Sequence, residues 1–149
     1  MSFVENMFSL KGKVAAVIGG GGVLASAMAK GVAQAGADVA ILDLNSENAA
    51  KIAKDIQEET GVNTLAITCN ATSKSDLQTA CDQIAAQLGT ADILINAPGI
   101  NSSTPFFDIE ENEYEKIMAV NLKSMFLACQ VFGRNMLDAG KPGSVINIS

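Results

Sequence analysis

The 149-residue chain has no histidine, no tryptophan, a single arginine (Arg134) and a single tyrosine (Tyr114). Without histidine there is no imidazole base, no Ser-His-Asp triad and no histidine-ligated metal. Cysteine is scarce as well. Cys69, Cys81 and Cys129 share no C-x-x-C spacing, so neither a zinc ribbon nor a thioredoxin-type redox pair is available. An odd, scattered set reads as reduced thiols in a cytoplasmic protein. Positive charge is short: 10 basic residues face 16 acidic ones, net −6. That balance excludes a phosphate-tracking nucleic-acid surface and a basic membrane patch. Long apolar runs are missing too. The longest uncharged stretch, Val14 to Ala29, has 16 residues and is broken by Gly19 to Gly22, too short for a membrane span. The first six residues carry an acid and no base, unlike a signal peptide. What remains is 48% hydrophobic and 17% charged, a composition that folds rather than one that stays disordered. The length fits one domain, residues 1–149, able to bury about 68–70% of its unfolded surface. The expectation is a soluble, acidic, cytoplasmic α/β domain with no membrane or nucleic-acid partner.

Short β-like runs alternate with longer helical ones. Strands are expected at Lys13–Ile18, Asp38–Asp43, Asn63–Cys69, Asp92–Asn96 and Gly143–Ile148. Between them lie helices at Val23–Ala35, stopped by Gly36, and from Asn45 or Ser46 to Thr60, stopped by Gly61. Ser73-x-x-Asp76 resembles a capping box opening a helix that runs to Leu88. Asp108-x-x-Glu111 resembles another, ahead of a long fourth helix to Asp138 with Ile117, Val120, Ser124 and Ala128 on one stripe. Strands of continuous Val, Ile, Leu and Ala are those of a parallel sheet buried on both faces. Alternation with helices implies right-handed βαβ units, hence a doubly wound parallel sheet. The one long irregular stretch, Ala97 to Phe107, follows the fourth strand, at the carboxyl end of the sheet where such folds bind ligands.

The first strand runs straight into Gly19-Gly20-Gly21-Gly22-Val23-Leu24-Ala25, and Gly20-x-Gly22-x-x-Ala25 fits the G-x-G-x-x-G/A template. A sharp turn, close backbone approach to a pyrophosphate and tight helix–strand packing all call for small residues there. Exposed N–H groups and the positive helix end then receive the diphosphate. Alone, the loop fits a flexible turn equally well. Asp43, 18 residues past Ala25 at the end of the second strand, adds a carboxylate able to accept from ribose hydroxyls and to repel a 2′-phosphate. Leu44 and Asn45 follow it, with no Lys or Arg, which favours NAD over NADP. By itself Asp43 also fits an exposed turn residue.

Taken in order, these residues resemble the short-chain dehydrogenase/reductase family along the whole chain. Where that family has T-G-x-x-x-G-x-G, the chain has Ile18-Gly19-Gly20-Gly21-Gly22-Val23-Leu24-Ala25. Its acid after the third strand is Asn70 here, followed by Ala71 and Thr72, and its N-N-A-G is Asn96-Ala97-Pro98-Gly99. Its V-N-x-x-[ST] in the fourth helix is Val120-Asn121-Leu122-Lys123-Ser124, and its fifth strand is Gly143-Ser-Val-Ile-Asn-Ile-Ser149. The resemblance implies an NAD(P)-binding Rossmann fold of strand order 3-2-1-4-5, ending after strand five. It implies cofactor contacts at Gly19, Gly21, Gly22, Val23, Leu24, Asp43, Leu44, Asn70, Ala71, Asn96, Ala97, Pro98 and Gly99. Asn70 would accept from an adenine amino group, and Asn121, catalytic in the family, would hold a water in a proton relay. On residues alone, Asn121 fits a satisfied buried amide or a helix kink as well. Family members pair through the fourth helix, which implies a homo-oligomer, a dimer or tetramer.

The departures are specific. Ile18 lacks the hydroxyl of the family threonine, Pro98 lacks an N–H donor, and β-branched Val23 resists positive φ, so the loop must differ locally. The chemistry of the family is hydride transfer with a tyrosine phenolate as base and a lysine four residues on. Tyr114 is followed by Glu115-Lys116-Ile117-Met118, not by Y-x-x-x-K, and reads as structural. The family serine would fall one residue beyond Ser149. The chain is therefore expected to carry the cofactor half of an NAD-dependent oxidoreductase of secondary alcohols, on a sugar acid or polyol by the likeness of its glycine loop, and to be inactive alone. The alternatives are a catalytically dead nucleotide-binding or oligomerising module, and a doubly wound domain with another phosphate ligand. No metal is expected.

Overall fold

The computed structural model describes residues 2–148. Its centre is β1 (Val14–Ile18), five apolar residues that are all buried. It lies parallel between β2 (Asp38–Asp43) and β4 (Ile93–Asn96), with β3 (Thr64–Thr68) outside β2 and β5 (Ser144–Asn147) outside β4. The order is β3-β2-β1-β4-β5, a doubly wound parallel sheet with the strand order implied by the resemblance.

Alternation along β1 explains the two layers. Ala15 and Val17 face a cluster with Val39 and Ile41 of β2, Ala25, Ala29 and Ala33 of α2 (Val23–Gln34), and Ala49 and Ala53 of α3 (Ser46–Thr60). Val14, Ala16 and Ile18 face the other layer, with Leu42 of β2, Leu94 of β4, Leu77 and Ile84 of α4 (Lys74–Gln87), and Val131 and Phe132 of α6 (Ser124–Asp138). Alanines at i, i+4 and i+8 make the buried face of α2, so that helix can sit close on the sheet. Caps set the ends. The Asn45 side chain accepts from the Asn48 N–H at 3.0 Å, and Ser73 Oγ accepts from the Asp76 N–H at 3.3 Å. Gly61 closes α3 in the left-handed conformation, φ 75°.

Several expectations are corrected. A short helix, α1 (Phe3–Phe8), precedes β1, and a 3₁₀ turn (Phe106–Asp108) interrupts the loop after β4. Asp108 does not cap the next helix: α5 (Glu111–Met118) begins after Glu110, with no side-chain cap bond. The fourth long helix is not continuous. A π-turn at Ala119–Lys123 separates α5 from α6, and the Ser124 N–H reaches back five residues to the Ala119 carbonyl. On the expected stripe, Ser124 and Ala128 are buried, while Ile117 and Val120 are only half-buried because they precede or lie within that turn. Burial on both strand faces holds for β1 but not at the sheet edges, where all four residues of β5 are exposed. The final residue of the fifth-strand motif, Ser149, lies outside the described residues.

Candidate functional site

The carboxyl ends of β1, β2 and β4 meet at the point where the chain's winding reverses, and the glycine loop sits there. Gly19 adopts φ 74°, and a Cβ on it would lie 2.9 Å from the Ala97 carbonyl and from Pro98 Cα. Glycine is therefore demanded twice, by conformation and by contact with the chain leaving β4. The N–H groups of Gly19 and Gly20 both bond the Leu42 carbonyl, at 2.8 and 3.1 Å, which ties the loop to β2. Gly22 is the N-cap of α2 with φ −77° and supplies no side chain. Val23 avoids strain by entering the helix as its first residue, and no non-glycine residue among those described has positive φ. Val23 is 91% exposed, with Leu24 and Leu44 also exposed nearby in sequence to the loop and to Asp43. The first turn of α2 carries no acid. Its leading N–H groups and positive helix end can meet an anion.

Asp43 joins the two halves of this arrangement. Its Oδ2 accepts from the Gly21 N–H at 2.9 Å and its Oδ1 from the Asn45 N–H at 2.9 Å. An ionised carboxylate has about four lone-pair sites, so each oxygen keeps capacity for a hydroxyl of a vicinal diol. A Cβ at Gly21 would come within 2.8 Å of Oδ2, so glycine at position 21 lets the carboxylate keep this place. An open glycine cradle, an uncapped helix start and a half-exposed carboxylate suit a diphosphate joined to a ribose.

The other expected residues are placed unevenly. Ala97, Pro98 and Gly99 lie against the loop or beside Asn121: Gly19 packs on the first two, and Gly99 faces Asn121 Oδ1. Asn96 is fully buried. Its Nδ2 donates to Asn147 Oδ1 at 2.8 Å and to Cys129 Sγ at 3.6 Å, so the side chain braces β4 against β5 and is closed to a ligand. Asn70 is exposed, but its Oδ1 already accepts from the Thr72 N–H and hydroxyl at 3.0 and 2.8 Å. Adjacent Ala71 is half-buried. Asn121 sits in the π-turn and pairs with one backbone unit: Oδ1 accepts from the Ile100 N–H at 2.9 Å, and Nδ2 donates to the Ile100 carbonyl at 3.0 Å. Both ends of its amide are thereby engaged.

One cluster escaped sequence reading. Glu113, on α5, accepts from the hydroxyls of Ser102 and Thr104 in the loop after β4. Its only sequence signal is an acid on the first turns of a helix following a Ser/Thr-rich loop. At the opposite end of the sheet, buried Asp92 accepts from the Val14 N–H at 3.0 Å and pairs with Lys13 at 3.2 Å, bracing β1 to β4. Burial pushes the Cys69 and Cys81 thiols up to about 11, with nearby Asp76 and Asp82 adding to it, so neither is a nucleophile near neutral pH. Among the described residues no acid or thiol cluster could hold a metal, and no helix is long and apolar enough to cross a membrane.

Parallel order, glycine loop and the acid after β2 define an open α/β domain of the Rossmann type. The model of the short chain dehydrogenase family matches residues 13–149, and the chain belongs to that family. It is 34% identical over 146 residues to D-threitol dehydrogenase of Mycolicibacterium smegmatis, covering 98% of this chain and 55% of that protein. It is 32% identical over 145 residues to 5-keto-D-gluconate 5-reductase of Escherichia coli, covering 97% and 56%. An NAD+-bound xylitol dehydrogenase superposes with a TM-score of 0.86 at 27% identity, covering 92% of this chain and 52% of that one. The chain thus spans about half the length of the relatives it matches.

Proposed function

We propose that residues 1–149 form one cytoplasmic unit that binds NAD at the carboxyl ends of β1, β2 and β4, as the cofactor half of an oxidoreductase acting on a secondary alcohol or ketone. The geometry of Asp43 carries this reading: it is held by Gly21 and Asn45 with lone pairs to spare, and no cation follows it before Lys51. That arrangement suits the free hydroxyls of an NAD ribose and opposes the 2′-phosphate of NADP. The first-turn N–H groups of Val23 and Leu24 meet the diphosphate; Gly19, Gly21 and Gly22, whose N–H groups bond Leu42, Asp43 and Gly19, let it approach the backbone closely, and Leu44 flanks the adenosine. Ala71 offers the adenine its N–H. Asn70 can serve adenine only after releasing Thr72. Asn96 acts from behind, fixing the strand end that presents Ala97, Pro98 and Gly99. With its amide engaged by Ile100, Asn121 holds a relay water through its main-chain carbonyl in the π-turn. The bound nicotinamide supplies hydride acceptance or donation. The names of the relatives, a threitol dehydrogenase and a keto-gluconate reductase, support a polyol or sugar acid as the substrate class.

No base for the substrate hydroxyl stands in these residues, since Tyr114 lacks a lysine four places on. The isolated chain therefore binds cofactor without turnover. Titration with NADH, read by quenching or energy transfer of its fluorescence, tests the binding. A second copy of the chain is the expected partner. Tyr114, Leu122 and Phe126 are each more than half exposed and line one apolar groove along α5, the π-turn and α6, supporting self-association through the fourth helical segment.

A further inference from the structure

We propose that Glu113 is a positioning residue that holds the loop after β4 ready for the nicotinamide half of the dinucleotide. The inference rests on the NAD-binding reading above. The loop leaves β4 at Ala97 and reaches α5 only at Glu111, with one 3₁₀ turn of its own. Two side chains on the following helical segment hold it. Asn121 pairs with both polar groups of the Ile100 backbone. Glu113, half-buried, takes the Ser102 hydroxyl on Oε1 and the Thr104 hydroxyl on Oε2 at 2.9 Å. Ser102 Oγ in turn accepts from the Thr104 N–H at 3.0 Å, closing the set. Among the described residues Glu113 has no ion-pair partner; the two hydroxyls and the N-terminal turn of α5 in which it sits favour its charge. Hydrogen bonds to a carboxylate are the strong kind, and two on one group fix the Ser102–Thr104 part of the loop to α5. Ser102 and Thr104 are half-buried, while Asn101 before them and Ser103 between them are exposed.

The position of the loop gives the clamp its consequence. Asp43 on β2 places the adenosine half on the β2–β3 side of β1, so the remainder of an extended dinucleotide runs toward β4. The loop held by Glu113 leaves that strand. A ligand that binds only the ordered loop has its apparent dissociation constant raised by the reciprocal of the fraction of time the loop is ordered. Loss of the clamp therefore weakens a ligand that reaches the loop and spares one that stops at the second ribose.

The test compares NADH with ADP-ribose, which lacks nicotinamide, on the full chain and on Glu113→Ala, Glu113→Gln and the double variant Ser102→Ala/Thr104→Val. The expected result is a roughly five- to tenfold weaker NADH affinity for Glu113→Ala and the double variant, with ADP-ribose within about twofold of wild type and Glu113→Gln in between. The double variant leaves α5 untouched and decides the matter if Glu113→Ala fails to fold. Equal losses for both ligands, or no loss of either, overturn the positioning role while leaving the NAD-binding reading intact. A wild-type chain that binds neither ligand overturns both.

Discussion

Asp43 carries two hydrogen bonds before any ligand arrives, one to the glycine loop and one to the turn that follows it. It therefore does two things at once: it fixes the loop at Gly21 and offers its remaining lone pairs outward. Replacement by alanine removes both, and the expected outcome is an NADH affinity lowered by about tenfold or more, with the preference for NADH over NADPH narrowed, since the charge opposing a 2′-phosphate is gone. Fluorescence titration with each cofactor measures it; an unchanged ratio contradicts the role. Gly21→Ala approaches the same contact from the other side. The added methyl meets Asp43 Oδ2 at 2.8 Å, so the carboxylate must shift, and NADH binding weakens while the melting temperature changes little. Residue identity made Asp43 and the glycines legible in sequence, because their chemistry depends on type and position along one strand–loop–helix unit. Asn96, Asn70 and Asn121 were less legible. Part or all of each amide bonds a neighbour distant in sequence or a local turn: Asn96 Nδ2 bonds Asn147, Asn70 Oδ1 bonds Thr72, and both ends of Asn121 bond Ile100. The Asn96 and Asn121 pairings follow from tertiary contact, and that of Asn70 from a local turn, rather than from motif spacing.

The same division holds for elements. β1 and α2 were readable because each is followed by a glycine of positive φ, Gly19 at 74° and Gly36 at 103°, and β2 because its apolar run lies between Gly36 and Asp43. The break between α5 and α6 was not readable, since Ala119-Val-Asn-Leu-Lys123 contains no proline or glycine and a π-turn shares the residues of an α-helix. α1 was also missed; Phe3, Val4, Met7 and Phe8 are all exposed, so no buried face leaves a pattern. α6 shows the opposite case. Phe132 is fully buried against the sheet and anchors that layer. Phe132→Ala is expected to destabilise the fold by about 3–5 kcal/mol through lost burial and a residual cavity, read as a shift of the urea midpoint. A change below about 1 kcal/mol shows that α6 does not depend on that contact.

For the molecule as a whole, stability and association follow from what is covered and what is not. The buried thiols of Cys69 and Cys81 hold their protons to about 11, against 9.0 for an unburied thiol. In the unfolded chain they ionise near 9.0, so the contribution is fully present below that pH and is lost as pH rises through 9 to 11. Chemical denaturation across that window is expected to show falling stability, and a Cys69→Ala/Cys81→Ala variant a shallower fall; identical slopes contradict the assignment. The exposed groove at Tyr114, Leu122 and Phe126 argues for pairing of two copies. Leu122→Asp/Phe126→Asp is expected to shift sedimentation toward the monomer without altering NADH affinity. Sheet order, glycine loop and Asp43 all converge on one cleft, and family membership agrees with what they define. The most direct measurement is titration of the purified 149-residue chain with NADH, followed by an assay with polyols and NAD. The account predicts saturable binding at or below millimolar cofactor and no turnover. Absence of any fluorescence change up to millimolar NADH contradicts it.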